Sequence, residues 1–422
     1  MSLFNDVISI TGISFLMFTV FIVAGLGYLL GRVTIKGVSL GTAGVFIVAL
    51  LLGALVFSVD GSNLVTAKFG SDVALAKNYF KIIENLGLIL FVTSVGFIAG
   101  PNFFTSLKKN FKSYALLSLI IIILGGLTTI FCIKVLGCGT SMAVGLLSGA
   151  LTSTPAFSAA KDTVSSVYKD NPDAVSAFED IVTVGHGIAY LFGVVGVVLF
   201  VQIIPKLLKA DLEEERKKIS SVDTGKAAAE GKKLFDIDNF GLAAFAIAVV
   251  IGMFVGGIKI PMGSSKFSLG TTGGCLLASL VIAHFGHFGP LSMKPEKRML
   301  EIFREFGLMA FLIGAGIPGG ASFVQYFQPA YFLYGALMTL VPMIVGFIIA
   351  KYVIRLPLFN NLGGITGGMT STPALGTLIN VAKTDNVASA YAAAYPIALI
   401  AVVLVSQFII MFFPDPLSVV GM

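Results

Sequence analysis

Eleven stretches of the chain contain no Asp, Glu, Lys or Arg and run for 20 residues or more: 7–31, 37–59, 85–107, 113–133, 135–160, 181–205, 239–258, 267–293, 306–350, 356–382 and 386–414. An ionisable side chain at bilayer depth costs several kcal/mol, and a spanning helix needs roughly 20 mostly apolar residues. The runs therefore predict membrane helices, and the longest, 306–350, must hold two that turn between Pro318 and Pro329. With 56% of residues apolar and 12% charged, too little polar surface exists to clothe a soluble globule. The first run has no basic segment before it and exceeds a secretory apolar core, so it reads as a retained helix.

The excess of 28 Lys+Arg over 22 Asp+Glu reports orientation in the bilayer here rather than a nucleic-acid partner. Cys132, Cys138 and Cys275 stand in apolar surroundings without Cys-x-x-Cys spacing, so neither a disulfide framework nor a zinc site is indicated. Lys206–Asp238 divides the two apolar halves; it reads as a solvated linker or short helix, with Lys226–Glu230 built from good helix formers. The expected organisation is a first membrane repeat over 1–205, a linker over 206–238 and a second repeat over 239–422.

The halves repeat each other. Ser39-Leu40-Gly41-Thr42 returns as Ser268-Leu269-Gly270-Thr271, and Gly87, Gly96 and Gly100 return as Gly307, Gly316 and Gly320. Thr152-Ser153-Thr154-Pro155-Ala156 returns as Thr370-Ser371-Thr372-Pro373-Ala374, and Tyr190 and Gln202 align with Tyr395 and Gln407. If each half has five crossings and the Thr-Ser-Thr-Pro segment is a re-entrant hairpin, an outside N-terminus gives 20 of the 28 basic residues to cytoplasmic loops; twelve crossings give 18 at best. An odd number of crossings makes the repeats inverted, so the hairpins enter from opposite faces. The expected fold is thus an all-α polytopic membrane protein of two inverted repeats.

The paired segments carry the chemistry. Gly145 and Gly149 lead into the first, and Gly363, Gly364, Gly367 and Gly368 into the second. Pro clashes with the preceding turn and Gly costs about 1 kcal/mol relative to Ala inside a helix, so each segment predicts a break. In lipid, freed backbone groups survive only where protein or an aqueous cavity satisfies them. A half-helix starting at Pro155 or Pro373 presents free amides and about half a positive charge. Two such ends beside Thr152, Ser153, Thr154, Thr370, Ser371 and Thr372 suit a small anion. Close helix packing by small residues is the plainer alternative, and two copies at matching positions favour the site.

The duplicated Gly-rich lead, the Thr-Ser-Thr-Pro-Ala segments and Tyr395-Pro396 resemble the aspartate–alanine exchanger family of bacterial permeases over nearly the whole chain. The resemblance implies secondary transport of small carboxylate-bearing metabolites, acidic amino acids such as aspartate or glutamate or dicarboxylates, by exchange and without a cofactor. It also implies the bacterial cytoplasmic membrane, a homodimer and an elevator-like motion. Gly149, Gly368, Tyr395 and Pro396 would shape or gate the pocket. Two departures stand out: the linker lacks the large soluble domains that many members carry there, and Tyr190 is followed by Leu191 where the second repeat has Pro396.

Other ionisable residues have plainer roles beside functional ones. Lys161 and Asp162 could neutralise each other or gate the site, and a place in the outer loop is the reading the sequence favours. Glu179, Asp180 and His186 fall within about two helical turns; His186, with Asp180, could couple protons because a free imidazole titrates near neutrality, although an interfacial histidine is the simpler assignment. His284 and His287 have helical spacing without a third ligand and read as interfacial, so no metal is expected. No Walker A, Rossmann, nucleophile-elbow or His-Glu-x-x-His motif points to an enzyme. An anion channel remains an alternative, because two broken segments could line a pore, but neither a Thr-Val-Gly-Tyr-Gly filter nor an obvious ring of charges supports it. The serious rival is a sodium- or proton-coupled symporter.

Overall fold

A computed structural model of the chain describes all residues except 1, 4–7, 10–11, 36–37, 40, 60–63, 68–73, 110, 219–234, 263–264, 268, 385 and 422. The helices are α1 (Gly12–Gly31), α2 (Ala43–Val56), α3 (Lys77–Lys109), α4 (Phe111–Lys134), α5 (Thr140–Ala150), α6 (Thr154–Val167), α7 (Pro172–Leu207) and α8 (Leu212–Lys217). They continue as α9 (Leu242–Gly256), α10 (Gly270–Phe285), α11 (Lys297–Ala321), α12 (Phe323–Tyr326), α13 (Ala330–Tyr352), α14 (Leu358–Gly368), α15 (Thr372–Ala382) and α16 (Val387–Phe412). Among the described residues, strands form short antiparallel sheets, one before α1 and the others between helices.

Among the described residues, six helices, including α1, α4, α7 and α13, contain segments long and apolar enough to cross a membrane. Large apolar side chains such as Phe21 on α1, Phe131 on α4 and Phe254 on α9 stand exposed. Apolar surface of that extent is unfavourable in water and ordinary against lipid tails. The chain is an all-α polytopic membrane protein. The long run 306–350 divides at the expected place, with α11 ending just after Pro318 and α13 beginning just after Pro329. In the linker, the helix is α8, which Asp211 caps by accepting from the Glu213 and Glu214 amides at 2.9 and 3.2 Å. Those amide bonds, Glu214 first, hold the Asp211 carboxyl below its usual pKa. The stretch Lys226–Glu230 lies outside the described residues.

The helices pack as two bundles, each drawing on both halves of the sequence. In one, α3 lies against α10 and α11, α2 against α1 and α11, and α9 against α10. In the other, α4, α7, α13 and α16 surround α5, α6, α14 and α15. The first bundle has two matching apolar cores: Phe15, Phe57, Phe80, Met309, Ile313 and Ile317 in one, Phe97, Phe245, Ala248, Ala283 and Met299 in the other.

Its centre is the crossing of α3 with α11. A Cβ added at Gly87 would lie 2.4 Å from the Phe311 amide nitrogen, and one at Gly307 would lie 2.6 Å from the Gly87 carbonyl oxygen. The two backbones touch there because neither position has a side chain, the usual device where lipid leaves no hydrophobic drive between helices. Gly25, on an exposed face of α1, has nothing within 4 Å. Gly87→Val should therefore destabilise the purified protein by about 1–3 kcal/mol or more through overpacking. Gly25→Val should leave the melting temperature nearly unchanged, and equal melting temperatures for both variants would contradict the packing account.

Candidate functional site

The first Thr-Ser-Thr-Pro segment is the tip of a hairpin. Helix α5 has 11 residues, about 16 Å at 1.5 Å per residue, against a hydrocarbon core of about 30 Å. Its start and the end of α6 are tied to one residue. Asp415 accepts from the Thr140 and Ser141 amides at 2.6 and 2.7 Å, and its carbonyl accepts from the Tyr168 hydroxyl at 2.7 Å. The chain thus goes in and comes out at one level.

The second hairpin, α14 and α15, is held at its mouth in the same manner by α8. The Leu358 amide donates to Glu215 at 3.0 Å, and Arg216 Nε donates to the Ala382 carbonyl at 2.9 Å. Helix α7 starts just after the mouth of the first hairpin and ends just before α8, so its 36 residues, about 54 Å of helix, separate the two mouths.

The tips meet between them. Thr152 Oγ1 donates to the Met369 carbonyl at 3.1 Å, and Thr370 Oγ1 donates to the Leu151 carbonyl at 2.7 Å. Each hydroxyl thus satisfies a carbonyl at the end of the opposite hairpin's first helix. Both threonines sit at φ 51°, in the left-handed region. This region usually belongs to glycine and costs other residues about 1–2 kcal/mol. They occupy the position after the C-cap of a Schellman motif, formed by Thr152 N to Gly149 O at 2.9 Å and Ser153 N to Ser148 O at 2.8 Å. The second tip repeats it with Thr370 N to Gly367 O and Ser371 N to Thr366 O, both 3.0 Å. Glycine would remove the strain but could not supply the hydroxyl.

Beyond the turns the tips diverge. Ser153 caps α6 by accepting from the Ala156 amide at 3.3 Å. Ser371 occupies the same place at the start of α15, makes no side-chain cap and, though fully buried, has no partner for its Oγ among the described residues. Buried polar groups are nearly always satisfied, so a free hydroxyl above an uncapped helix N-terminus is a feature that a polar ligand would complete. Thr154 and Pro155 are buried in the first turn of α6. Thr372 and Pro373 open α15, and their side chains lie outside the described residues.

Around the tips, α5 runs parallel to α7, with Gly145 against Val182 and Gly149 against His186 and Tyr190. Helix α14 runs along α16 in the same way, with Gly363 against Val387 and Gly367 against Tyr391 and Tyr395. The spatial counterpart of Gly149 is therefore Gly367, whereas Gly368, singled out from the sequence, faces Ile121 of α4. The same pairing follows from aligning Thr152 with Thr370, one residue away from the Gly368 assignment. Tyr395 stacks on Tyr391 at 5.0 Å, and Pro396 is buried inside α16.

The charged residues differ most from the sequence reading. Lys161 and Asp162 are not in an outer loop: α6 continues to Val167, and Lys161 is buried with its Nζ 2.6 Å from Glu84 of α3. The partner lies 77 residues earlier, which no local pattern reveals. Asp162 accepts from Thr272 Oγ1 of α10 at 3.3 Å, beside a 2.7 Å contact between Thr272 and Ser158. Lys81 donates to Glu179 at 2.8 Å, and Ser322 donates to Asp180 at 2.8 Å. These bonds all join α6 or α7 of the hairpin bundle to α3, α10 or the end of α11 in the other.

His186 is not interfacial either. It is fully buried, stacked on Phe157 at 4.3 Å, with Nδ1 2.8 Å from Ser148 Oγ and no partner for Nε2 among the described residues. No group of three or more His, Cys, Asp or Glu suited to a metal ion occurs among the described residues.

Comparison with known proteins agrees with this architecture. The family profile described as the predicted permease membrane region of the Asp-Al_Ex type matches twice, over residues 19–206 and 244–411. The chain is similar to an uncharacterized transporter of Bacteroides fragilis, 25% identical over 93% of this chain and 97% of the relative. It is likewise similar to uncharacterized transporters of Bacteroides thetaiotaomicron, 24% identical over 93% and 97%, and Rhodopirellula baltica, 24% identical over 92% and 98%. The first of these alignments spans 550 positions, more than the 422 residues of this chain, so that relative carries segments absent here. With a profile that matches both halves and most of its length, the chain belongs to the aspartate–alanine exchanger family, as a short member without the large central soluble domains.

Proposed function

We propose that the protein is a secondary active transporter that exchanges small carboxylate-bearing metabolites, acidic amino acids or dicarboxylates, across the bacterial cytoplasmic membrane. The observation that carries this reading is the meeting of two hairpin tips with strained, cross-bonded threonines and a buried Ser371 hydroxyl without a partner among the described residues. The substrate carboxylate binds at Ser153, Thr154, Ser371 and the start of α15, while Thr152 and Thr370 hold the tips together. Direct hydrogen bonds supply most of the affinity, because a helix N-terminus contributes only about 0.3–2 kcal/mol. Gly149 and Gly367 let α7 and α16 approach, and Tyr395 with Pro396 shapes one side of the pocket.

The repeats, 1–205 and 239–422, are inverted in this reading, with ten crossings, the N-terminus outside and the 206–238 linker in the cytoplasm. Three observations support it: the hairpin mouths lie at opposite ends of α7, the linker helix α8 holds one of them, and Asp415 beyond α16 holds the other. The bundle containing the hairpins then moves as a unit against the other bundle in an elevator-like cycle, and the functional unit is a homodimer.

The transport mode is tested by uptake of labelled aspartate, glutamate and succinate into proteoliposomes. Exchange predicts uptake only into vesicles preloaded with unlabelled acid, indifferent to a sodium gradient. Sodium- or proton-driven uptake into empty vesicles would establish the symporter instead.

Glycine at the two tip threonines separates their role in transport from their role in folding. Thr152→Gly with Thr370→Gly relieves about 1–2 kcal/mol of backbone strain at each position and loses a hydrogen bond worth about 0.5–1.5 kcal/mol. The melting temperature should change little while exchange falls by about tenfold or more, the equivalent of one lost hydrogen bond in the transport barrier. Wild-type exchange in this variant would refute the tip assignment.

A further inference from the structure

Alongside the first hairpin lies a cavity of about 470 Å³ that the tip site does not use. Its walls carry Lys81 and Glu84 from α3, Lys161 and Lys169 from α6 and the turn after it, and Glu179 and Asp180 from α7. Its size falls within the range of small-molecule sites. The three lysines equal the three acids in number, but they are not equally committed. Lys81 donates to both oxygens of Glu179 at 2.8 and 3.1 Å. Lys161, the most buried of the three, holds a single oxygen of Glu84 at 2.6 Å. Lys169 has no ion pair among the described residues, and Pro172 at the start of α7 lies on the cavity wall. Along α6, Phe157 stands between Lys161 and Thr154; Lys161 Nζ is 5.7 Å from its ring, and the ring in turn stacks on His186.

We propose that this cavity is a second carboxylate site, which a substrate acid occupies before it reaches the tips, and that Lys161 binds it by exchanging the Glu84 carboxylate for the ligand's. The inference rests on the carboxylate reading given above. The exchange is chemically economical because a buried ammonium stripped of its partner is strongly disfavoured, and here Lys161 keeps a carboxylate throughout. Glu84, once released, shares Lys81 with Glu179, since Lys81 stands one helical turn earlier on the same face of α3. Lys169 and the positive end of α7 offset the added negative charge. The second repeat has no equivalent, since Ile379 and Asn380 stand where Lys161 and Asp162 do, so the site belongs to one side of the hairpin bundle only.

Labelling of a cavity thiol tests the site apart from the tips. Val175→Cys places a thiol in the cavity wall, against a background of three native cysteines that are all buried. In purified protein, aspartate, glutamate or succinate should slow its reaction with N-ethylmaleimide. The half-protecting concentration should stay within about twofold when Thr152→Ala and Thr370→Ala are added, because the tips lie beyond direct contact. It should rise by about tenfold or more with Lys161→Gln and Glu84→Gln, which remove the charge-assisted contact without leaving a lone buried charge. Lys161→Arg should retain protection and guards against misfolding of the neutral pair. Protection that disappears with the tip variant, or persists in the neutral pair, overturns the proposal. So does an acid that proteoliposomes exchange but that gives no protection. Protection by an acid that is never transported would support the cavity site and refute the transport reading, whereas neither protection nor transport would refute both.

Discussion

Inside a bilayer no water is present to satisfy a backbone group left unpaired at a helix end, and the two hairpins place four helix ends at the middle of the protein. Everything near the centre follows from how those ends are satisfied. Schellman turns take the carbonyls of Ser148, Gly149, Thr366 and Gly367. Threonine hydroxyls from the opposite tip take those of Leu151 and Met369. Because each tip completes the other, neither hairpin is self-sufficient, and both threonines accept a left-handed backbone to reach across. Strain stored where function is expected, with the Ser371 hydroxyl unpartnered among the described residues, gives the site its physical rationale.

The same economy of polar groups separates the bundles. Within the first bundle, contact is made largely through glycines and apolar side chains, as at the Gly87–Gly307 crossing. Between the bundles it includes ion pairs and hydroxyls: Lys161 with Glu84, Lys81 with Glu179, Ser322 with Asp180, and Thr272 with Asp162 and Ser158. Polar bonds with alternative partners close at hand suit a surface that must part and re-form, whereas interlocked glycine packing resists sliding. That contrast supports the proposed movement of the hairpin bundle against the other.

Much of this was legible in the sequence, for reasons that can be stated. Exclusion of charge from lipid marks the helices, so the runs align with α1 to α7 and α9 to α16. Pro and Gly mark the breaks, and duplication points to the paired tips. What was not legible depends on partners distant in sequence. Lys161 looked like a loop residue because Glu84 is invisible from α6, and His186 looked interfacial because Phe157 and Ser148, which enclose it, lie on other helices. The left-handed turn at Thr152 and Thr370 was hidden for a different reason: threonine is a poor signal for a conformation normally written as glycine. The repeat register that pairs Thr152 with Thr370 also pairs Gly149 with Gly367, so the gating assignment to Gly368 departs from the alignment by one residue.

The central claim is that the hairpin bundle carries substrate by moving against the other bundle, and one contact between them can be locked. Ser158 Oγ of α6 and Thr272 Oγ1 of α10 are 2.7 Å apart, so cysteine sulfurs in their places would need to approach by less than 1 Å to form a bond of about 2.05 Å. Exchange by Ser158→Cys with Thr272→Cys in proteoliposomes should be lost on oxidation and return with a reductant. Undiminished exchange in fully cross-linked protein would contradict the account.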